Sequence, residues 1–345
     1  MAPRVVLVTG VSRFLGGYLA ARLAGNPDVE RVLGVDTVPP SRDLLRRMGR
    51  AEFVRADIRN PLIAKVISTA RVDTVVHASV TANPAGPSGR TTLKEMNVIG
   101  TMQLLAACQK SPLVRKLVVK STTAVYGASP RDPAVFSEEM GPKDLPSSGY
   151  AKDAVEVEGY VRGFGRRRPD VQITTLRFAN FIGPRIDTVM TRYFSLPIVP
   201  TVLGYDARVQ LLHAEDALAI LERATLHDLP GVFNAGGDGV LMLSQAIRRA
   251  GRIPLPVPSL MVPTVGTVIR SARLVDFSPD QMRFLNFGRV VDTTRLKQEF
   301  GLTPRWTTRE AFDDFVNGRG LCPFIDPDRV AAVEREILDM AAKLR

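Results

Sequence analysis

The first half of the chain alternates short aliphatic and β-branched runs with segments of helix length. The runs are "RVVLVTG" from residue 4, "VERVLGVD" from 29, "AEFVRADI" from 51, "VDTVVHAS" from 72, "VRKLVVKST" from 114 and "VQITTLRFAN" from 171. A strand with one wet face alternates apolar and polar residues, whereas these runs are almost continuously Val, Ile and Leu, so both faces must be covered. Helix-length connections between such strands require a parallel sheet with helices on both sides. The fold class expected is α/β, a doubly wound parallel sheet of Rossmann type. Ligands in such sheets lie beyond the carboxyl ends of the strands, so the residues that close each run are the ones to examine.

From about residue 181 the texture changes to Pro- and Gly-punctuated segments, interrupted by "VQLLHAEDALAILERA". This interleaving predicts a dinucleotide-binding domain over 1–180, completed by 207–234. A smaller inserted C-terminal substrate lobe is expected over 181–206 and 235–325, and an amphipathic terminal helix over 326–345, where Val330, Val333, Ile337 and Met340 recur three or four apart. With 345 residues and 45% hydrophobic content the chain can bury a full core. The two cysteines, Cys108 and Cys322, lack metal-ligand spacing and read as reduced packing residues; no metal is expected.

"VTGVSRFLGG" follows the first run and opens a helix. Backbone amides there can hold a pyrophosphate. Gly10 permits the tight turn, Gly16 permits close contact between helix and strand, and Arg13, Phe14 and Leu15 lie between them. Asp36 closes the second run, where a carboxylate can accept hydrogen bonds from the adenosine ribose hydroxyls.

These stretches, with "ADIRN", "VVHAS", "NVIGTMQLLAAC", "STTAVYG", "KDAVE", "LRFANFIGPR", "HAEDALA", "GVFNAGG" and "VVDTTRLKQEFGLTP", resemble the extended short-chain dehydrogenases/reductases. That branch contains the NAD-dependent epimerases and dehydratases, and the chain is similar to actinobacterial UDP-glucose 4-epimerase-like proteins over roughly residues 4 to 316. The resemblance implies that Asp57 and Ile58 flank the adenine, that His77, Ala78 and Ser79 line the cofactor channel, and that Asn97 supports the central helix. The middle glycine of the family's turn is Arg13 here. A guanidinium suits the 2'-phosphate of NADP, while Asp36 would oppose it, so NAD is the cofactor expected and NADP the alternative.

In the family a Ser or Thr binds the substrate oxygen, a Tyr carries the proton, and a Lys four residues after the Tyr lowers its pKa. A free phenol titrates near pH ~10 and needs a cation to act at neutral pH. Thr122 holds the Ser/Thr position. In "PSSGYAKDAVE", Lys152 holds the lysine position, from which it also reaches the nicotinamide ribose, and Ser148 stands where the tyrosine belongs. Tyr150 lies two residues before Lys152 and, on a helix, points about 200° from it. An active site on this register lacks its proton carrier, unless the alignment around "SSGY" is shifted or Tyr126, His213 or the substrate takes the role. The phosphate-gripping arginine of the epimerases is Val209 here, with Arg208 one place off. Asn180 and Arg185 remain as candidate substrate contacts, and His213 is expected to be a satisfied structural histidine.

The function expected is therefore that of an NAD(P)-binding epimerase/dehydratase-like protein, acting by hydride transfer on a nucleotide sugar or related hydroxyl or keto substrate. The alternative is a non-catalytic cofactor-binding scaffold. A small-molecule substrate, nucleotide-linked or lipid-linked, and a homodimer are the partners expected. The net charge of +11 is carried mostly by arginine, and no zinc-finger, helix-turn-helix or RNA-binding aromatic pattern accompanies it, so nucleic acid is not an expected partner. "MAPRVVLVTG" enters a strand without a leader pattern, which points to the cytoplasm. "RIPLPVPSLMVPTVGTVIRSAR" is too short and Pro-broken to span a bilayer, and its basic flanks leave peripheral contact with anionic lipid open.

Overall fold

The structure, a computed structural model, describes residues 3–81, 90–146, 149–258 and 279–321. Ser148, Cys322, the helix expected over 326–345 and most of the apolar stretch that starts at Ile253 lie outside the described residues.

Seven strands form one sheet in the order β11-β6-β5-β4-β1-β2-β3. They are β1 (Val5–Thr9), β2 (Arg31–Asp36), β3 (Glu52–Arg55), β4 (Thr74–His77), β5 (Lys116–Thr122), β6 (Gln172–Phe178) and β11 (Gly231–Ala235). Every neighbouring pair is parallel, as the continuous apolar runs required. Alternate residues face opposite helical layers. Val6, Val8, Val76 and Val118 pack with α1 (Phe14–Gly25) and α8 (Ala214–Leu226). Leu7, Val75, Leu117 and Val119 pack with α3 (Ile63–Thr69), α5 (Gly100–Lys110) and α6 (Gly149–Arg167). The chain runs outward on both sides of β1, so the loops after β1 and β4 part and leave a crevice at their carboxyl ends.

A third core gathers Ile182, Tyr193, Phe194, Val199, Ala207, Val209, Leu211, Ile247, Phe312 and Phe315. It is bordered by small pairings: β8 (Ile198–Val202) with β13 (Ile253–Val257), and β9 (Arg208–Val209) between β12 (Leu241–Met242) and β14 (Gly288–Arg289). β11 is one edge of the large sheet, and just before α8 the chain passes between cores, Leu211 lying in the third and Leu212 in the first. No helix among the described residues is long and apolar enough to cross a membrane.

Candidate functional site

The turn after β1 is too tight for side chains at its glycines. Gly10 has φ +77°, and a Cβ there would sit 2.8 Å from the Ser79 Cα; one on Gly16 would sit 2.4 Å from the Gly10 carbonyl oxygen. The first turn of α1 contains no acidic residue, and its N-cap, Arg13, gives no side-chain hydrogen bond to the helix amides. An N-terminus left open in this way suits phosphate. Asp36 stands beside the turn. Its Oδ2 accepts from the Ser12 amide at 3.0 Å and hydroxyl at 2.6 Å, and its Oδ1 from the Thr37 amide at 2.7 Å. Phe14 packs against Tyr18 with the rings tilted and their centroids 4.5 Å apart, and Leu15 is buried. The geometry therefore fits a dinucleotide from turn to ribose. The Arg13 guanidinium turns in along the crevice and donates to the Thr81 hydroxyl at 3.4 Å, beyond β4, rather than to Asp36.

The β4 end is held by buried polar groups. His77 bridges the hydroxyls of Thr9 at 3.0 Å and Thr101 at 2.8 Å, and burial, followed by the nearby Lys120 charge, lowers its pKa to about 3, so the ring is neutral. The Ala78 and Ser79 amides also donate to the Thr9 hydroxyl. Asn97 lies in a π-helical turn, Glu95–Ile99, that leads into α5. Its side chain accepts from the Thr81 amide and donates to the Thr81 carbonyl, both at 3.0 Å, and donates to buried Asp153 of α6 at 3.1 Å. Beyond β3, the Asp57 carboxyl is held below its usual range by the hydrogen bond from Arg59, and Ile58 packs under Gly100.

A cavity of about 150 Å³ continues from this crevice toward the lobe. Thr81, Lys120, Thr122, Tyr150, Asn180 and Arg289 are among its polar walls, and Phe178, Phe181, Val189, Met190, Phe284 and Leu285 among its apolar ones. The Tyr150 phenol and the Thr122 side chain both line this cavity, and burial pushes the phenol's pKa well up. Gly149, with φ +67°, opens α6 immediately before Tyr150.

This register differs from the expected one. Tyr150 lines the cavity and Lys152 does not. Lys152 is half-buried and makes no hydrogen bond or ion pair among the described residues. The glutamate that α6 turns inward is Glu158, eight residues after Tyr150, rather than Glu156. It accepts from the Ser121 hydroxyl at 2.6 Å and from Arg177 at 3.0 and 2.7 Å. Arg177 goes on to the Tyr126 hydroxyl at 2.8 Å, which donates to Asn234 at 2.8 Å. Tyr126 is thus consumed by the scaffold. With Tyr150 on the cavity, the residue one turn later is Ala154, packed among Val125, Tyr126, Phe136 and Val291. Among the described residues at the start of α6, Tyr150 and Ala151 line the cavity. Sequence reasoning passed over Glu158, Arg177 and Lys120; the eight-residue step from Tyr150 to Glu158 was the available signal for the first.

Of the two expected substrate contacts, Asn180 lines the cavity. Arg185 turns to the outer side, donating to Glu215 at 2.5 Å and lying 5.7 Å from the Tyr18 ring centroid. His213 accepts from the Glu215 amide at 3.2 Å, which leaves Nε2–H to donate to Asp314 at 3.0 Å, and its ring lies 4.6 Å from Trp306. Val209 is fully buried, so that strand position presents no cation to a ligand.

Comparison with known proteins agrees with this architecture. The chain is 56% identical over 341 residues to an uncharacterized protein of Mycobacterium tuberculosis, covering 99% of this chain and 91% of that protein. Among solved structures it superposes on UDP-glucose 4-epimerase of Thermotoga maritima, determined with UDP-glucose, with a TM-score of 0.68 and 21% identity over 91% of this chain and 98% of that one. It also superposes on UDP-glucuronic acid 4-epimerase of Bacillus cereus in complex with NAD, with a TM-score of 0.68 and 20% identity over 92% and 99%. A family model matches residues 6–236. The chain belongs to the NAD dependent epimerase/dehydratase family.

Proposed function

We propose that the chain binds NAD across the carboxyl ends of β1 and β4 and catalyses oxidation or reduction of a hydroxyl- or keto-bearing substrate, a nucleotide sugar in the first instance, in the adjoining cavity. The observation that carries this reading is that Tyr150 and Thr122 line one cavity. Two hydroxyls lining one cavity can grip one substrate oxygen, Thr122 fixing its position and Tyr150 passing the proton. Asn180 and Arg289 face the same space and orient the remainder of the substrate. Bound NAD supplies the hydride acceptor or donor. Asp36 selects NAD over NADP, because Arg13 is directed toward Thr81 and not toward the ribose end. Titration calorimetry with NAD and NADP tests the cofactor, and incubation with UDP-glucose or UDP-galactose, followed by product analysis, tests the chemistry. Tyr150→Phe is expected to remove turnover while leaving NAD affinity within a few-fold.

A second reading is favoured by Ala154. With no ammonium from α6 and burial raising the phenol's pKa, Tyr150 is a weak proton carrier. A cofactor-binding protein without turnover would bind NAD normally and leave both sugar nucleotides unchanged.

A further inference from the structure

Arg13 and Lys120 lie in the crevice, and neither makes an ion pair among the described residues. Lys120 and Val118 share one face of β5, turned toward α1, while Ser121 on the other face meets Glu158. The Lys120 side chain is within a residue that is 7% exposed, and its hydrogen bond among the described residues is to the Val80 carbonyl. Arg13 reaches the next residue, Thr81, from the head of α1. Buried cations are costly unless paired, and two of like sign side by side are more so. Burial, and after it the Arg13 charge, lowers the Lys120 amine to about 7; Arg13 itself is lowered by burial, partly offset by Asp36. The other titratable groups around Lys120 are His77, neutral at the end of β4, and, in the cavity, Tyr150 and Arg289. Asp36, the carboxylate that acts on Arg13, already accepts from Ser12 and Thr37. The fold does not need the cations to hold the loop, because Asn97 already binds both backbone groups of Thr81.

We propose that Arg13 and Lys120 form a two-cation clamp that, with the open amides of α1, holds the diphosphate bridge of the dinucleotide. The inference rests on the NAD reading and deepens it. A dianion favours the charged amine, so binding takes up a proton wherever the free amine has begun to lose its own. Affinity should then be greatest below pH ~7 and fall as pH rises above it.

The test is calorimetry of NAD and of inorganic pyrophosphate at pH ~8 in buffers of different ionisation enthalpy. The expected result is net proton uptake with the wild type. Lys120→Met should lose that uptake and about 10- to 100-fold in affinity. Lys120→Arg should keep affinity without uptake, since guanidinium stays charged. Without ligand, Lys120→Met should unfold no earlier than the wild type, the opposite of what a structural lysine would show. If wild type and Lys120→Met bind NAD equally and without buffer dependence, the clamp is overturned and the NAD reading stands. If pyrophosphate binds with proton uptake and NAD does not, the clamp stands and the NAD reading fails. If neither binds the wild type, both fail.

Discussion

Replacing Glu158 by alanine should strip Arg177 of its partner inside the protein. The two side chains are 5% and 11% exposed, and the pair is bidentate at 3.0 and 2.7 Å. The Ser121 hydroxyl loses its acceptor as well. The hydrogen bonds left to Arg177 would be those to the Tyr126 hydroxyl and the Glu138 carbonyl, neither of them charged. Breaking a buried pair in this way costs about 3–5 kcal/mol, because the surviving charge is left without compensation. At about 2–4 °C per kcal/mol, Tm should fall by roughly 6–20 °C. Glu156→Ala, on the half-buried side of the same helix, should stay within about 0.5 kcal/mol. Thermal and urea unfolding followed by circular dichroism measure both, and Glu158→Met combined with Arg177→Met should recover part of the loss. Equal small effects, or a larger loss at Glu156, would refute the helix register that sets Tyr150 on the cavity.

Ala154→Lys offers an ammonium one turn after Tyr150; if it is accommodated beside Tyr126 and Phe136, any turnover on the native substrate should rise about 10- to 100-fold, and an unchanged rate in a folded variant counts against Tyr150 as proton carrier. Gly10→Ala combines a φ of +77° with a 2.8 Å approach to Ser79, so it should cost at least about 1–2 kcal/mol and weaken NAD binding, as read by unfolding and calorimetry. His77, depressed to about 3 in the folded chain, binds its proton more readily when unfolded. Its contribution is fully present above pH ~6.5 and is lost as pH falls toward about 3, so Tm of the wild type should drop more steeply across that window than Tm of His77→Gln.

The sheet was legible because burial on both faces leaves a mark in every strand: Val6, Leu7 and Val8 are completely inaccessible, and the residues at the strand ends, Asp36 and His77, stand where the runs stop. The chemistry was harder to read because a helix register cannot be inferred from residue identity when two alignments compete. Lys152 and Glu156 offered one pair at the right spacing, and Tyr150 and Glu158 another. Only burial separates them: α6 turns Ala154 and Glu158 inward, while Lys152 and Glu156 stay at its half-buried flank. Lys120 escaped notice for a different reason. On a strand, a lysine between Val119 and Ser121 reads as an edge or solvent position, and nothing local announces that its amine turns into a crevice.

Asn97 gives this chain a mechanical property. One amide fastens the loop after β4 to helix α6, both of which supply walls of the cavity, and its π-helical turn is continuous with α5. The two walls should therefore open as a single cooperative unit and not as independent flaps. In native-state hydrogen exchange, the amides of Val80–Thr81 and those of the first two turns of α6 should share one opening free energy in the wild type. In Asn97→Ala they should separate, with the loop exchanging faster and α6 retaining most of its protection.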